Sequence, residues 1–165
     1  MSQTTAPLRE MVAGRLGLAA EPMQPATIET KVQPAAKSYF GRAIVEDIAT
    51  GEDAIKHPDA ASQKIRGVVM STHSIVNEDG TDDPHYPAKE SVKVMNKGRV
   101  WVQIEEDIAV GDDVYVRHTV NGGLDKLGAF RNDADTANAD QLTNARWVKG
   151  GTAAQGIALL ELDVL

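Results

Sequence analysis

Residues 91–104 read Ser91-Val-Lys-Val-Met-Asn-Lys-Gly-Arg-Val-Trp-Val-Gln-Ile104, and this stretch decides the fold class. Apolar and polar side chains alternate on both sides of Asn96-Lys-Gly98, which is the pattern of half-buried β-strands. Glycine adopts the positive φ that a tight bend needs, so Gly98 predicts a turn between two strands. The stretch therefore predicts an antiparallel hairpin.

The same period of two recurs in the chain after Phe40. The alternating segments are 42–46, 65–70, 92–94, 100–104 and 114–116. Asn121-Gly122 is a strong hairpin signal, and Gly156 to Val164 is almost continuously apolar, as in a central strand. Residues 128–145 are rich in Ala, Asp, Asn and Thr without a period, and we interpret them as an exposed loop. About seven short strands predict an all-β body over 38–165, a single small β-sandwich or barrel-like domain.

Residues 1–37 differ in composition from this body and are interpreted as an extended N-terminal arm. They hold four of the seven prolines and no aromatic residue, and their net charge is +1 against −8 for the remainder. Helical spacing of apolar residues predicts one short helix over 7–16. Ile28, Thr30 and Val32 share one face of a predicted strand, which is suited to adding to the edge of another sheet. A disordered tail is the alternative interpretation.

Composition excludes several classes of partner and chemistry. The chain has no cysteine, so disulfides, thiolate catalysis and cysteine-ligated metals are excluded. Acidic residues number 24 against 17 basic ones, which argues against a nucleic-acid partner because such binding depends on neutralising phosphates. No apolar stretch approaches the roughly 20 residues that span a bilayer, so we expect no membrane partner.

No arrangement of residues points to catalysis, and we predict no catalytic, cofactor-binding or metal-ligating residue. The histidines lack the spacing that places two imidazoles on one metal. An acidic turn at 78–83, flanked by His73 and His85, could gather around a cation, but it lacks the alternating acids of a calcium loop. Neighbouring acids such as Glu105-Glu106 point to opposite faces of a strand, so we expect them to keep strand ends solvated.

Five segments in a set order carry a resemblance to a known family. They are Phe40-Gly-Arg-Ala-Ile-Val45, Lys97-Gly-Arg-Val-Trp-Val102, Ala109-Val-Gly-Asp-Asp-Val-Tyr-Val116, Ala145-Arg-Trp147 and Ala154-Gln-Gly-Ile-Ala-Leu-Leu-Glu-Leu162. From about residue 22 onward the chain resembles the structural cement proteins of tailed bacteriophages, which decorate and reinforce the head.

The resemblance implies a non-enzymatic capsid decoration protein without cofactors. It implies a virion location on the outer capsid surface, after synthesis in the bacterial cytoplasm, at junctions between subunits of the major capsid protein. The implied partners are that protein and further copies of this chain, as a homotrimer or, alternatively, a dimer. Candidate contacts from the arm and its junction with the body are Leu8, Met11, Val12, Leu16, Ile28, Val32 and Tyr39. Phe40 is expected to pack on its own domain.

Two other functions stay open from the residues alone. Trp101 or Trp147 could stack on a sugar, as in a carbohydrate-binding or adhesion module on the virion surface, although core or interface packing is the favoured interpretation for both. A small oligomeric β-fold hydrolase would need a carboxylate, a glycine-rich motif and an aromatic residue, which the sequence does not place together.

Overall fold

The computed structural model describes residues 15–20, 26–32, 36–51, 53–72 and 83–164. Within these ranges the chain is nearly all β, which confirms the predicted fold class. The strands are β1 (Thr27–Val32), β2 (Ser38–Tyr39), β3 (Ala43–Glu46), β4 (Ile55–Lys56), β5 (Ile65–Val69), β6 (His85–Tyr86), β7 (Ser91–Gln103), β8 (Tyr115–Arg117), β9 (Phe130–Arg131), β10 (Ala139–Gln141), β11 (Ala145–Lys149) and β12 (Ile157–Asp163). No helix in the described ranges is long and apolar enough to cross a membrane.

The spine of the fold is β7, a single strand of 13 residues that pairs with β1, β5 and β12. The predicted hairpin at Asn96-Lys-Gly98 is therefore wrong. Gly98 does have a positive φ of 128°, but it serves a close approach, since a Cβ there would lie 3.1 Å from the Cβ of Ala26. The strand continues because both of its halves find partners that are distant in sequence.

Five strands close into a small barrel around the first part of the core. The sheet runs β7-β5-β3-β4, and β1 pairs with β7. A bridge between Val32 of β1 and Ala54, beside β4, joins the two ends. The buried cluster associated with these strands consists of Phe40, Ile44, Ile55, Val69, Tyr86, Val92 and Val94. Barrel closure protects main-chain groups that an open sheet edge would expose.

The second part of the core lies where β12 and β11 continue the sheet. β12 is placed between β11 and β7, and Ala158, Leu160 and Leu162 are buried, so the predicted central strand is confirmed. A three-stranded sheet in the order β10-β8-β9 contributes to the same core. Here the ring of Phe130 meets Trp147 edge to face, at 6.3 Å between centroids.

The interpretation of residues 128–145 as an exposed loop is wrong. They contain β9, a short 3-10 segment at Asp135–Ala137 and β10, and both Phe130 and Ala139 are buried. The strands of two and three residues are too short to show a period in sequence. The Asp and Asn side chains in this segment form hydrogen bonds to buried arginines and within tight turns. A polar composition therefore does not indicate a solvated loop here.

The described parts of the arm lie on the chain's own body. β1 is a strand as predicted, and it pairs with β7 of its own chain. Residues 15–20 run along another stretch of β7, where Ala19 bridges to Val100. The predicted helix over 7–16 lies almost wholly outside the described residues, and its described end at Arg15 and Leu16 is not helical.

Candidate functional site

The outer side of β1 carries two branched apolar side chains on either side of a threonine, which is unusual for a surface strand. Ile28 and Val32 are each 47 % exposed, whereas the side chains that alternate with them are half-buried. Lys31 occupies this inner side, with its Nζ 3.3 Å from Asp53 Oδ1 and 3.6 Å from Glu29 Oε2. Lys31 thus lies on the inner side of the strand, paired with acids at its margin, while Ile28, Thr30 and Val32 face outward. Solvent-facing apolar groups arranged along one strand are typical of an interaction surface.

Main-chain pairing, not side-chain burial, fixes the position of β1. The strand runs antiparallel to Ser91–Lys97 of β7 along its full length. At its end, the Val32 amide donates to the Asp53 carbonyl over 3.1 Å. Ile28 and Val32 are consequently held in place by the body while their own side chains contribute little to its core.

The neighbouring segment 15–20 is anchored by a glycine. Gly17 has a φ of +72°, its amide donates to the Trp101 carbonyl over 2.7 Å, and its carbonyl accepts from Ser71 over 2.9 Å. A Cβ at Gly17 would lie 2.5 Å from the Ser71 nitrogen, so only glycine fits. The candidate contact Leu16 packs against the core cluster that contains Phe40, and Leu18 is 38 % exposed.

Tyr39 and Phe40 join the arm to the body, and both pack on their own chain. Phe40 is buried as expected, with its ring edge-on to Tyr86. Tyr39 is half-buried between the rings of His57 and His85, at 5.8 and 5.4 Å between centroids. The Arg42 guanidinium lies 4.1 Å from the centre of the Tyr39 ring. The other candidate contacts, Leu8, Met11 and Val12, lie outside the described residues.

His57 is a half-buried histidine in this joint. Its Nε2 accepts the Tyr39 amide over 3.1 Å, so its Nδ1 carries the proton and donates to the Ala43 carbonyl over 2.8 Å. Burial is the main cause that lowers the pKa of His57 to about 4, and the nearby Arg42 charge acts in the same direction. Both nitrogens are therefore committed to the fold.

The acids considered as a cation site are only partly within the described residues. His73, Asp79 and Asp82 lie outside them. Asp83 forms ion pairs with Arg42 at 2.5 Å and Lys126 at 3.3 Å, so two cations already neutralise its carboxylate. The described residues contain no group of three His, Asp or Glu side chains that could hold a metal ion.

A buried network of charges ties β8 and β9 to the main sheet, and sequence reasoning missed it. Arg117 is completely buried, and its Nε donates to both carboxylate oxygens of Glu105 over 2.7 and 2.8 Å. Arg131 reaches the same carboxylate over 3.2 Å. The expectation that Glu105 keeps a strand end solvated is wrong, because its side chain is 2 % exposed. The sequence does not signal this network, because the alternation of Val114 and Val116 predicts Arg117 on the opposite face of β8.

Asp135 completes the network and shapes a strained turn. Its carboxylate accepts from Asn121 over 3.1 Å and lies 2.8 Å from Arg117 Nη2, and these contacts, Asn121 first, lower the pKa of Asp135. Burial by itself would lower the pKa of Arg117, but its bonds to Glu105 and Asp135 raise it instead. Asp135–Ala137 all have positive φ, which is costly for residues other than glycine. The buried charges thus have a structural use.

Neither tryptophan is presented as an open sugar platform. Trp147 is 3 % exposed, and its Nε1 donates to the Asp113 carbonyl over 3.2 Å. Trp101 is half-buried on the outer face of β7, and Lys149 Nζ lies 5.9 Å from the centre of its ring. Packing in the core for Trp147 and in a surface cluster for Trp101 accounts for both.

Comparisons with known proteins agree with this architecture. The chain superposes on a solved chain from "The capsid of Myoviridae Phage XM1" with a TM-score of 0.72 and 17 % identity, over 100 % of both chains, which shows a shared fold. No curated protein matches the chain. The family model described as structural cement protein (E217 gp24/Pam3 gp6) matches residues 3–163. The chain therefore belongs to the phage structural cement protein family, and it is a structural protein of the virion capsid.

Proposed function

We propose that this chain is a non-enzymatic cement protein that binds the outer surface of the capsid at junctions between major capsid protein subunits. One observation carries the proposal: β1 presents Ile28 and Val32 outward while main-chain bonds hold the strand to a closed barrel. A rigid body therefore offers a preformed apolar contact, which reduces the conformational entropy lost on binding.

Such a contact stabilises a shell without any reaction. Each bound copy adds roughly 2.7 kcal/mol to the bound state when its free concentration is a hundred times Kd. A copy that touches two neighbouring subunits also resists their separation, because both contacts must break together. Many modest contacts, repeated over the shell, thus oppose the outward pressure of packaged DNA.

The charge distribution supports an outward-facing body. The chain has a net charge of −7, of which −8 resides in residues 38–165 and +1 in residues 1–37. Packaged DNA repels an acidic body, which favours the outside of the shell over its lumen. Because a shell offers symmetry axes, we propose a closed homo-oligomer, a trimer with a dimer as the alternative.

The experiment is cosedimentation of the purified chain with capsid shells assembled without it. The wild-type chain is expected to pellet saturably with the shells. The variant Ile28→Ser/Val32→Ser is expected to bind at least about tenfold more weakly, since two exposed apolar side chains that would be buried against the shell are lost. Val110→Ser/Val120→Ser is the matched control, because these valines are also exposed but lie on loops of the body.

The experiment distinguishes a wrong contact assignment from a wrong function. Unchanged binding by the Ile28→Ser/Val32→Ser variant, or an equal loss in the control, contradicts the assignment of β1 as the contact. Failure of the wild-type chain to pellet with any shell contradicts the proposed function itself. Thermal unfolding of each variant alone confirms that the barrel is intact.

A further inference from the structure

Three neighbouring strands carry a regular set of charged and aromatic side chains on their outer face, which we name the rung face. It is formed by β7, β12 and β11, and consists of three rows of directly opposed residues. The first row pairs Lys97 with Asp163, with Nζ and Oδ2 2.6 Å apart. The opposite sides of the same strands, including Val100 and Leu160, are buried in the core.

The second row is an arginine–glutamate–arginine bridge across all three strands. Glu161 lies opposite Arg99 and Arg146 in the register. Arg99 Nε is 2.6 Å from one carboxylate oxygen, and Arg146 Nη2 is 2.8 Å from the other. The Arg146 side chain is 70 % exposed, so most of this cation faces solvent despite the ion pair.

The third row is apolar at its centre. Trp101 lies opposite Leu159, which in turn lies opposite Lys149. Lys149 rests over the Trp101 ring, and no carboxylate within the described ranges forms an ion pair with it. The bridge from Ala19 to Val100 places Leu18 beside Trp101 at the edge of this row, continuous with the arm.

The charge of the rung face is opposite to that of the molecule. Its four cations face two carboxylates, a net charge of +2, whereas the chain carries −7 and the rest of it therefore −9. Tryptophan and arginine are also the residues that most often dominate binding at protein interfaces. A partly exposed sheet face with this composition is complementary to an acidic protein surface.

We propose that the rung face docks against an acidic protein surface of the assembled shell, as a second contact beside β1. This inference rests on the proposed function and names the chemistry of its partner. Nucleic acid is the less suitable occupant, because an excess of two charges neutralises few phosphates and the rest of the chain repels them. Carboxylates of the partner would meet Arg146 and Lys149, the cations that the rung face leaves least neutralised.

The test uses a double variant, Arg146→Gln/Lys149→Gln, which removes the excess charge and leaves the other ion pairs intact. The matched control is Lys64→Gln/Lys89→Gln, which changes the net charge equally at exposed lysines outside the rung face. Affinity for shells assembled without the chain is measured by cosedimentation at 50, 150 and 300 mM salt. Circular dichroism and thermal unfolding verify that each variant is folded.

We expect the rung-face variant to bind roughly tenfold more weakly at low salt, the scale of two exposed charge pairs, and to lose most of the salt dependence. The control should bind like the wild type. Equal affinity and equal salt dependence for both variants overturn the inference. The proposed function still stands in that case, provided that the wild-type chain binds the shells. Binding of random duplex DNA by the wild type, lost in the rung-face variant, overturns it in favour of nucleic acid.

Discussion

Two glutamates in this molecule each bridge two arginines, and their surroundings give them different uses. Glu105 joins Arg117 and Arg131 in the interior, where its side chain is 2 % exposed. Glu161 joins Arg99 and Arg146 on the rung face, where it is 28 % exposed. In the interior a lost partner leaves a charge without solvent, whereas on the surface water replaces it. The same chemistry is thus structural in one place and available for contact in the other.

The largest expected difference comes from removing each glutamate in turn. Glu105→Ala should lower the free energy of unfolding by about 3–5 kcal/mol, because two buried guanidinium groups lose their shared counter-charge. Glu161→Ala, the matched variant, should cost no more than about 1 kcal/mol. Urea unfolding at neutral pH measures both. Similar losses at the two sites would contradict the distinction.

His57 extends the comparison to a half-buried group without an opposite charge beside it. Its pKa is about 4 in the fold and about 6.5 in the unfolded chain, so the unfolded state binds more protons between these values. The contribution of His57 to the free energy of unfolding is fully present above pH 6.5. It falls as the pH drops towards 4, by up to about 3 kcal/mol. Comparing unfolding free energies at pH 4 and 7 for wild type and His57→Gln isolates this contribution. An identical pH dependence in both proteins would show that His57 is not held neutral.

A smaller effect should distinguish the arm from the body. Gly17→Ala and Gly122→Ala both place alanine at a positive φ, at a cost of about 1 kcal/mol. Only at Gly17 does the new Cβ meet backbone, so this variant should also release residues 15–20 from β7. Hydrogen exchange at the Trp101 amide, which donates to Leu18, should accelerate only in Gly17→Ala. Equal protection in the two variants would mean that segment 15–20 is not anchored there.

Local patterns in the sequence predicted the structural features that depend only on residues close together in the chain. The period of two predicted most of the longer strands, and the apolar run after Gly156 predicted the central position of β12. The alternation over 27–32 also placed Ile28 and Val32 correctly on one face. The all-β class followed from these segments, with a sandwich or a barrel left open, because alternation determines which side of a strand is buried.

Features that depend on distant partners could not be predicted in this way. Gly98 has the positive φ of a turn, yet its place in a continuous strand depends on Ala26 and on two separate pairing strands. In the sequence Glu105 is expected at a solvated strand end, whereas in the folded chain Arg117 and Arg131 contact its carboxylate. Likewise, Leu16 packs on the body because Gly17 turns the segment towards β7. Each of these depends on residues far away in the sequence.

A cryo-EM map of capsid shells decorated with this chain tests the central claim most directly. It should show the chain outside the shell, above boundaries between major capsid protein subunits, with the outer side of β1 against a capsid protein. Density in the lumen, or a bound chain whose Ile28 and Val32 both face solvent, would contradict the account.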